Sequence, residues 1–328
     1  MHAGVWAGVD IGGTKTAVVL SSDPPHVLFR TEFPTLQAKG PDHAISKIKS
    51  ILRDCLNERG AQPAKLLGIG VSCGSPLDPV AGIIQAPPNL NTWIDVPIVR
   101  ILETEFKCPA SLENDANAGA LAEHQYGAGR GTQDMVFLTM GTGLGAGIIV
   151  RGRLHRGASY YAGEIGHVRL TRTGPIGYHK AGSVEGWASG GGLAQIALRV
   201  LTDARQRGQK SALLDLPSDH VVSAKDVGLA AQQGDKIALS IVRTCGQRLG
   251  EAMAVLVDVL NPERIVIGGL ALRMGDLVLE PARESLRHEA LRPAYEACTV
   301  VPAELGESIG DVAALCVAAQ FSGGEEKT

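Results

Sequence analysis

Two segments of the chain carry the same arrangement of small and hydroxyl-bearing residues. They are Gly8-Val9-Asp10-Ile11-Gly12-Gly13-Thr14-Lys15-Thr16 and Leu138-Thr139-Met140-Gly141-Thr142-Gly143-Leu144-Gly145-Ala146-Gly147. In each, a short apolar run enters a Gly/Thr turn and leaves as a second apolar run, Ala17-Val18-Val19-Leu20 or Ile148-Ile149-Val150. Glycine lets the backbone turn sharply and approach an oxyanion, while threonine hydroxyls and the Lys15 ammonium add hydrogen bonds and charge. One such turn is most often only a hairpin. Two of them, facing each other, make a clamp for a polyphosphate.

A second group of polar residues could handle the acceptor of a phosphoryl group. Asn114-Asp115 stands where a helix begins, and Asp115 is the candidate base. The helix dipole there favours the ionised form and is expected to lower the carboxyl pKa, away from the near-neutral optimum of a general base. On position alone Asp115 reads equally well as an N-cap. Glu164, His167 and Glu185 offer two carboxylates and an imidazole, suitable partners for hydroxyls that both donate and accept. Taken singly, each reads more simply as a solvated or structural residue. Gly74, in Ser72-Cys73-Gly74-Ser75-Pro76, follows a strand's carboxyl end, where open α/β sheets place ligands; an ordinary turn is the equal alternative.

The elements that must position these groups alternate between strand and helix. Ile45, Ile48, Ile51, Leu52, Cys55 and Leu56 recur at helical spacing over 44–59, and Gly60 stops that helix. A buried strand follows at 66–71, a loop rich in Pro and Asn at 86–93, and a short helix at 99–105. The helix opened by Asn114-Asp115 marks the crossing to a second lobe, which starts with a strand at 135–139 and the second hairpin. Residues 161–192 read as one long irregular stretch holding many of the polar candidates, more often functional than idle. A long helix over 236–260 ends at Asn261-Pro262, the strand 264–267 runs into Gly268-Gly269, and an Ala-rich helix covers about 311–321.

At 328 residues the chain exceeds the size at which one core keeps growing, so two lobes are expected. With 45% apolar and 20% charged residues it is a folded protein, and a formal net charge of −3 argues against a nucleic-acid partner. No basic leader precedes the first strand and no apolar run reaches the length of a membrane span, so a soluble, cytoplasmic protein is expected. The six cysteines are scattered singly, which suggests buried free thiols.

The chain resembles the sugar kinases of the ROK family (repressor, open reading frame, kinase) from residue 9 to about 319. The resemblance rests on the two hairpins, on Leu112-Glu113-Asn114-Asp115-Ala116-Asn117-Ala118, Gly163-Glu164-Ile165-Gly166-His167 and Gly182-Ser183-Val184-Glu185, and on Pro88-Asn89-Leu90 and Ile265-Val266-Ile267-Gly268-Gly269. It implies an α/β, two-lobed actin-like ATPase fold, a duplicated RNase H-like design with an interlobe cleft. The small lobe would be 1–117, with the C-terminal helix at about 311–322 packed back on it. The large lobe would be 118–310 and the tail 323–328 flexible. The implied activity is ATP-dependent phosphorylation of a hexose or hexosamine hydroxyl, most often the 6-hydroxyl, by a cytoplasmic homodimer.

In that reading Asp115 is the base, and Gly74, Asn89, Asn114, Asp115, Glu164, His167 and Glu185 hold the sugar. Gly12, Gly13, Thr14 and Lys15 contact phosphate from one lobe; Thr139, Gly141, Thr142 and Gly143 do so from the other. Gly268 and Gly269 receive the adenosine, and Asp10 partners Mg²⁺ through water. Most ROK kinases also hold a structural zinc on three cysteines and a histidine. Counting back from Glu185, those cysteine positions are Ile176, Tyr178 and Ser183 here, so no Cys3His site can form and no zinc is expected. The alternatives are a non-catalytic sugar-sensing regulator, against which the intact Asp115 and the lack of an N-terminal DNA-binding segment count, and a kinase for an N-acetylated hexosamine. An actin- or Hsp70-like ATPase acting on a protein fits Glu164, His167 and Glu185 poorly.

Overall fold

The computed structural model describes residues 4–57, 65–217 and 219–322. Two compact units make up the chain. The first takes in Met1–Gly127, Gly157–Tyr160 and Glu307–Thr328; the second is Ala128–Arg156 with Tyr161–Gly306.

In the first unit, β1 (Val5–Ile11) and β2 (Lys15–Ser21) form an antiparallel hairpin about the Gly12–Thr14 turn, and β3 (Phe29–Pro34) extends it at the edge. Helix α1 (Gly40–Asn57) follows, burying Ala44, Ile45, Ile48, Leu52 and Cys55. Arg59 and the expected stop at Gly60 lie outside the described residues. Strand β4 (Leu66–Cys73) pairs parallel with β1 and runs to Cys73, past the Val71 expected from the sequence. A small hairpin, β5 (Leu77–Asp78) and β6 (Ile83–Ile84), precedes α2 (Ile98–Phe106). Strand β7 (Ala110–Asn114) pairs parallel with β4 and feeds α3 (Asp115–Tyr126). The unit runs past Asn117, where the sequence reading places its end, because all of α3 belongs to it.

The second unit repeats this plan. Strands β8 (Met135–Met140) and β9 (Leu144–Val150) form the second Gly/Thr hairpin, with β10 (Arg153–Leu154) at the edge. The stretch 161–192 is less irregular than its composition suggests. It holds the hairpin β11 (Ile176–Gly177) and β12 (Lys180–Ala181), helix α4 (Val184–Ala188) and the start of α5 (Gly190–Gln206). After α6 (Ala224–Gln232) comes α7 (Lys236–Leu260), with Ile241, Cys245, Leu249, Met253 and Leu256 buried as their spacing predicts. Asn261, in the left-handed conformation, ends α7. Strand β13 (Arg264–Gly269), helices α8 (Leu270–Met274), α9 (Asp276–Glu289) and α10 (Arg292–Ala297), and strand β14 (Thr299–Pro302) complete the unit.

The strand orders are β3-β2-β1-β4-β7 and β10-β9-β8-β13-β14. Each hairpin therefore occupies the same place in its own sheet, with two parallel strands beyond it. Each sheet anchors a separate apolar core. Helix α11 (Ile309–Ser322) returns to the first unit, where Val312–Ala318 are all buried as it packs on β1, β4 and α3. Among the described residues no helix is long and apolar enough to cross a membrane.

Candidate active site

In the first unit the parallel strands β1, β4 and β7 end side by side, pairing Asp10 with Ser72 and Cys73 with Asn114. This gathers the acidic candidates at the carboxyl edge of the sheet. The Asn114 side chain caps α3, its Oδ1 accepting the N–H of Ala116 at 2.9 Å and of Asn117 at 3.3 Å, while its Nδ2 donates to Ser75 Oγ at 2.8 Å. Beneath it, the buried Glu113 accepts the Asn114 N–H at 3.0 Å and Asn117 Nδ2 at 2.9 Å. Asp115 is thus the first helical residue and not the cap. Its Oδ1 accepts the Ala116 N–H at 2.8 Å, and among the described residues its Oδ2 has no hydrogen-bond partner.

The electrostatics correct the expectation for Asp115. Its carboxyl pKa is raised, not lowered: desolvation by the surrounding protein outweighs the N–H groups of Ala116 and of Asp115 itself that favour the anion. The side chain nonetheless keeps water-accessible surface, so a solute can reach it. Asp10 is pushed up to about 6, first by burial and then by the charge of Asp115, with Asp311 adding and a Ser72 hydrogen bond and Lys15 opposing. Asp311 itself pairs with Arg30 Nε at 2.6 Å.

At the first hairpin turn, the carbonyls of Gly12 and Gly13 are held by Thr35 Oγ1 at 2.7 Å and Gln37 Nε2 at 3.0 Å. Among the described residues the N–H groups of Gly13 and Thr14 donate to nothing in the protein. Gly13 packs on Asn89: a Cβ there would lie 2.6 Å from the Asn89 carbonyl oxygen, so this glycine has a packing reason of its own. Lys15 is exposed and pairs with Glu32 at 3.0 Å. Gly74 has open space around it.

The second unit shows the same pattern at its hairpin. The carbonyls of Gly141 and Thr142 accept from Gly190 N at 2.8 Å and Gly191 N at 3.2 Å, at the start of α5. Again the next two N–H groups, of Thr142 and Gly143, have no acceptor among the described residues. Glu185, on the first turn of α4, accepts the Leu144 N–H at 3.2 Å, and a Cβ on Gly143 would lie 2.6 Å from its Oε2. Glu164 and His167 face each other across a single 3₁₀ turn, Oε2 to Nε2 at 3.7 Å.

Beside this hairpin lies a cavity of about 470 Å³ lined by Met140, Gly141, Thr142, Gly190, Gly191, Ala194, Val221–Lys225, Gly269, Leu270 and Arg273. Gly269, at φ 71°, lines it. Gly268 does not: it is buried against Phe137. Thr139 stays within β8, between Gly145 and Gly268. Sequence reasoning missed most of this wall and also Ser75, Glu113 and Asp311. Two helix-start signals pointed to the wall, Ser189 before three glycines and the Ser223/Asp226 capping box.

The ROK family profile matches residues 6–320. The chain belongs to the ROK family. It is 34% identical to a glucokinase of Halalkalibacterium halodurans over 93% of this chain and 92% of the other. It is similar in structure to a ROK hexokinase from Thermus thermophilus (31% identity, TM-score 0.80, 98% of this chain and 100% of that one). A ROK glucokinase from Streptomyces griseus, solved with glucose and AMPPNP, matches at 30% identity and TM-score 0.80, over 97% and 100%. This ROK protein is accordingly a sugar kinase of the two-lobed actin-like fold.

Proposed function

We propose that the protein transfers the γ-phosphoryl group of ATP to a hexose hydroxyl, with glucose the first acceptor to test and the 6-hydroxyl the position attacked. The observation that carries this reading is the shared state of the two turns. The carbonyls of Gly12, Gly13, Gly141 and Thr142 are bound from outside, while the N–H groups of Gly13, Thr14, Thr142 and Gly143 have no protein acceptor among the described residues. Amides so left suit phosphate oxygens. The 470 Å³ cavity beside the second turn has the size and mostly apolar wall that an adenosine needs. Lys15 can leave Glu32 for phosphate, since an exposed, salt-screened pair holds it weakly.

Asp115 would orient the attacking hydroxyl through Oδ2 and take its proton late in a loose transition state. Its raised pKa suits that task better than an ordinary carboxylate's, because the base must hold a proton once the bond has formed. Asn114, with one N–H left to donate, and Glu164, His167 and Glu185 would hold the remaining hydroxyls, with Asn89 and Gly74 at the margin. Asp10 fits Mg²⁺ in the chemistry of its donor: a half-buried hard-oxygen carboxylate whose acidic neighbours Asp115 and Asp311 leave it short of positive charge. Bound there, Mg²⁺ would neutralise phosphate charge. A cytoplasmic homodimer completes the reading, two-fold dimers being the commonest closed assembly.

An ADP-release assay over glucose, mannose, fructose, glucosamine and the N-acetylated hexosamines tests the reading. Sugar-dependent ADP release with at least one of them is expected. ATP hydrolysis indifferent to every sugar would overturn it, and loss of activity with a 6-deoxy sugar checks the position.

A further inference from the structure

The hairpin β11–β12 carries two of the three residues that replace the family's cysteines, Ile176 and Tyr178, and Ser183 follows it. Its two turn residues, Tyr178 and His179, both adopt left-handed backbone, φ 42° and 63°. A two-residue hairpin turn of this hand normally uses Asn-Gly. Bulky residues persist there only when their surroundings hold them, and such strain gathers at functional sites.

The surroundings are specific. The Tyr178 ring meets the His167 imidazole edge-on, centroids 4.8 Å apart and planes at 71°. Two residues on, Lys180 Nζ donates to the His167 carbonyl at 2.7 Å. The hairpin is fixed at its base by Gln195, whose Oε1 accepts the Ile176 N–H and whose Nε2 donates to the Ile176 carbonyl, both at 2.8 Å. Gly177 lies so close to α4 that a Cβ on it would be 2.8 Å from the Cβ of Glu185. Ser183 Oγ accepts the Gly186 N–H at 3.2 Å, completing the support under Glu185.

We propose that Tyr178 and Lys180 are positioning residues for the acceptor sugar: the ring against the imidazole and the ammonium on the backbone carbonyl together fix His167, its Nε2 directed at Glu164. The proposal rests on the reading of His167 as a sugar ligand. Tyr178 keeps 49% of its surface exposed, so its removal opens no buried cavity and leaves the fold intact.

The test compares Tyr178→Ala, Tyr178→Phe, Lys180→Met and His167→Ala, singly and with Tyr178→Ala placed in the His167→Ala background. Sugar KM should rise about three- to tenfold in Tyr178→Ala, the range of one aromatic contact. Lys180→Met should act in the same direction. The KM for ATP and the melting temperature should hold. Tyr178→Phe should keep sugar KM near that of the parent, since a ring–ring contact does not need the hydroxyl, and Tyr178→Ala should add nothing once His167 is gone. If Tyr178→Ala fails to fold, Tyr178→Leu, which keeps the bulk without the aromatic edge, takes its place.

Two failures are distinguishable. Should His167→Ala weaken the sugar while the Tyr178 and Lys180 variants do not, the positioning role is wrong and the sugar site stands. Should His167→Ala leave sugar KM untouched, the assignment of His167 itself falls. Additive losses from Tyr178 and His167 would overturn the proposal in favour of direct contact between Tyr178 and sugar.

Discussion

Asn114 and Asp115 share one backbone donor: the Ala116 N–H reaches Asn114 Oδ1 at 2.9 Å and Asp115 Oδ1 at 2.8 Å. Asn114 alone also takes the Asn117 N–H, so it carries the cap, and Asp115 is steered through one oxygen with the other left over. In Asp115→Asn the amide oxygen can keep the Ala116 bond, which points the NH₂ where a proton acceptor is needed. Geometry survives and basicity does not. Turnover should fall by about 10²-fold or more, the lower range for loss of a general base. Binding of ATP, measured by calorimetry, should persist; near-normal turnover would remove Asp115 from the mechanism.

Asp10 predicts a stability effect whose sign is opposite to that of most paired carboxylates. Its folded pKa of about 6 lies above the ordinary 3.8, so between these values the folded protein binds a proton that the unfolded chain does not. Stability from this group is therefore fully present below about pH 4, falls as pH rises, and is lost above about 6. The rise from 3.8 to about 6 corresponds to about 3 kcal/mol. Asp10→Asn should melt higher than the parent at pH 7.5 in the absence of ligands, with the gap closing towards pH 4, and its kinase activity should collapse. Equal melting temperatures across that range would mean the carboxylate carries no such burden.

Local patterns made much of this legible in the sequence. Helix α7 followed from the spacing of Ile237, Ile241, Cys245, Leu249, Met253, Leu256 and Leu260 with Asn261-Pro262 as its stop, and both hairpins from their Gly/Thr turns between apolar runs. Helix α5 was hidden because Gly190–Gly192, poor helix formers, open it; their small size is used against Gly141 and Gly186, a tertiary reason invisible along the chain. The pKa of Asp115 was misjudged for a similar cause. A helix start is read from local sequence, whereas the burial whose desolvation outweighs it is a property of the folded protein. The outward hold on the turn carbonyls depends on Thr35, Gln37, Gly190 and Gly191, none of which neighbours the turn it serves.

The positions of Ile176, Tyr178 and Ser183 predict a protein indifferent to zinc. Among the described residues no three His, Cys, Asp or Glu side chains are grouped to hold a metal ion. Gln195 grips the backbone of Ile176 instead, and Ser183 caps α4. Purified protein should hold no stoichiometric zinc by elemental analysis, and a chelator should leave the melting temperature unchanged without nucleotide. One zinc per chain surviving dialysis would overturn this expectation.

The cavity beside the second hairpin yields the most selective prediction. Ala194 sits on the first turns of α5 and lines the cavity wall beside Gly141 and Thr142. Leucine is a good helix former, so Ala194→Leu should leave α5 and the fold intact while its added carbons enter the space assigned to adenosine. Losing about 1–2 kcal/mol of nucleotide affinity would raise the KM for ATP by about 5- to 30-fold. Sugar KM should stay within about twofold, because none of Asn114, Glu164, His167 and Glu185 lines that cavity. Steady-state kinetics with each substrate varied in turn reads both numbers, and a thermal melt confirms folding. If sugar and ATP weaken together in a stably folded variant, the cavity is not a separate nucleotide subsite. If neither changes, adenosine binds elsewhere on the second unit.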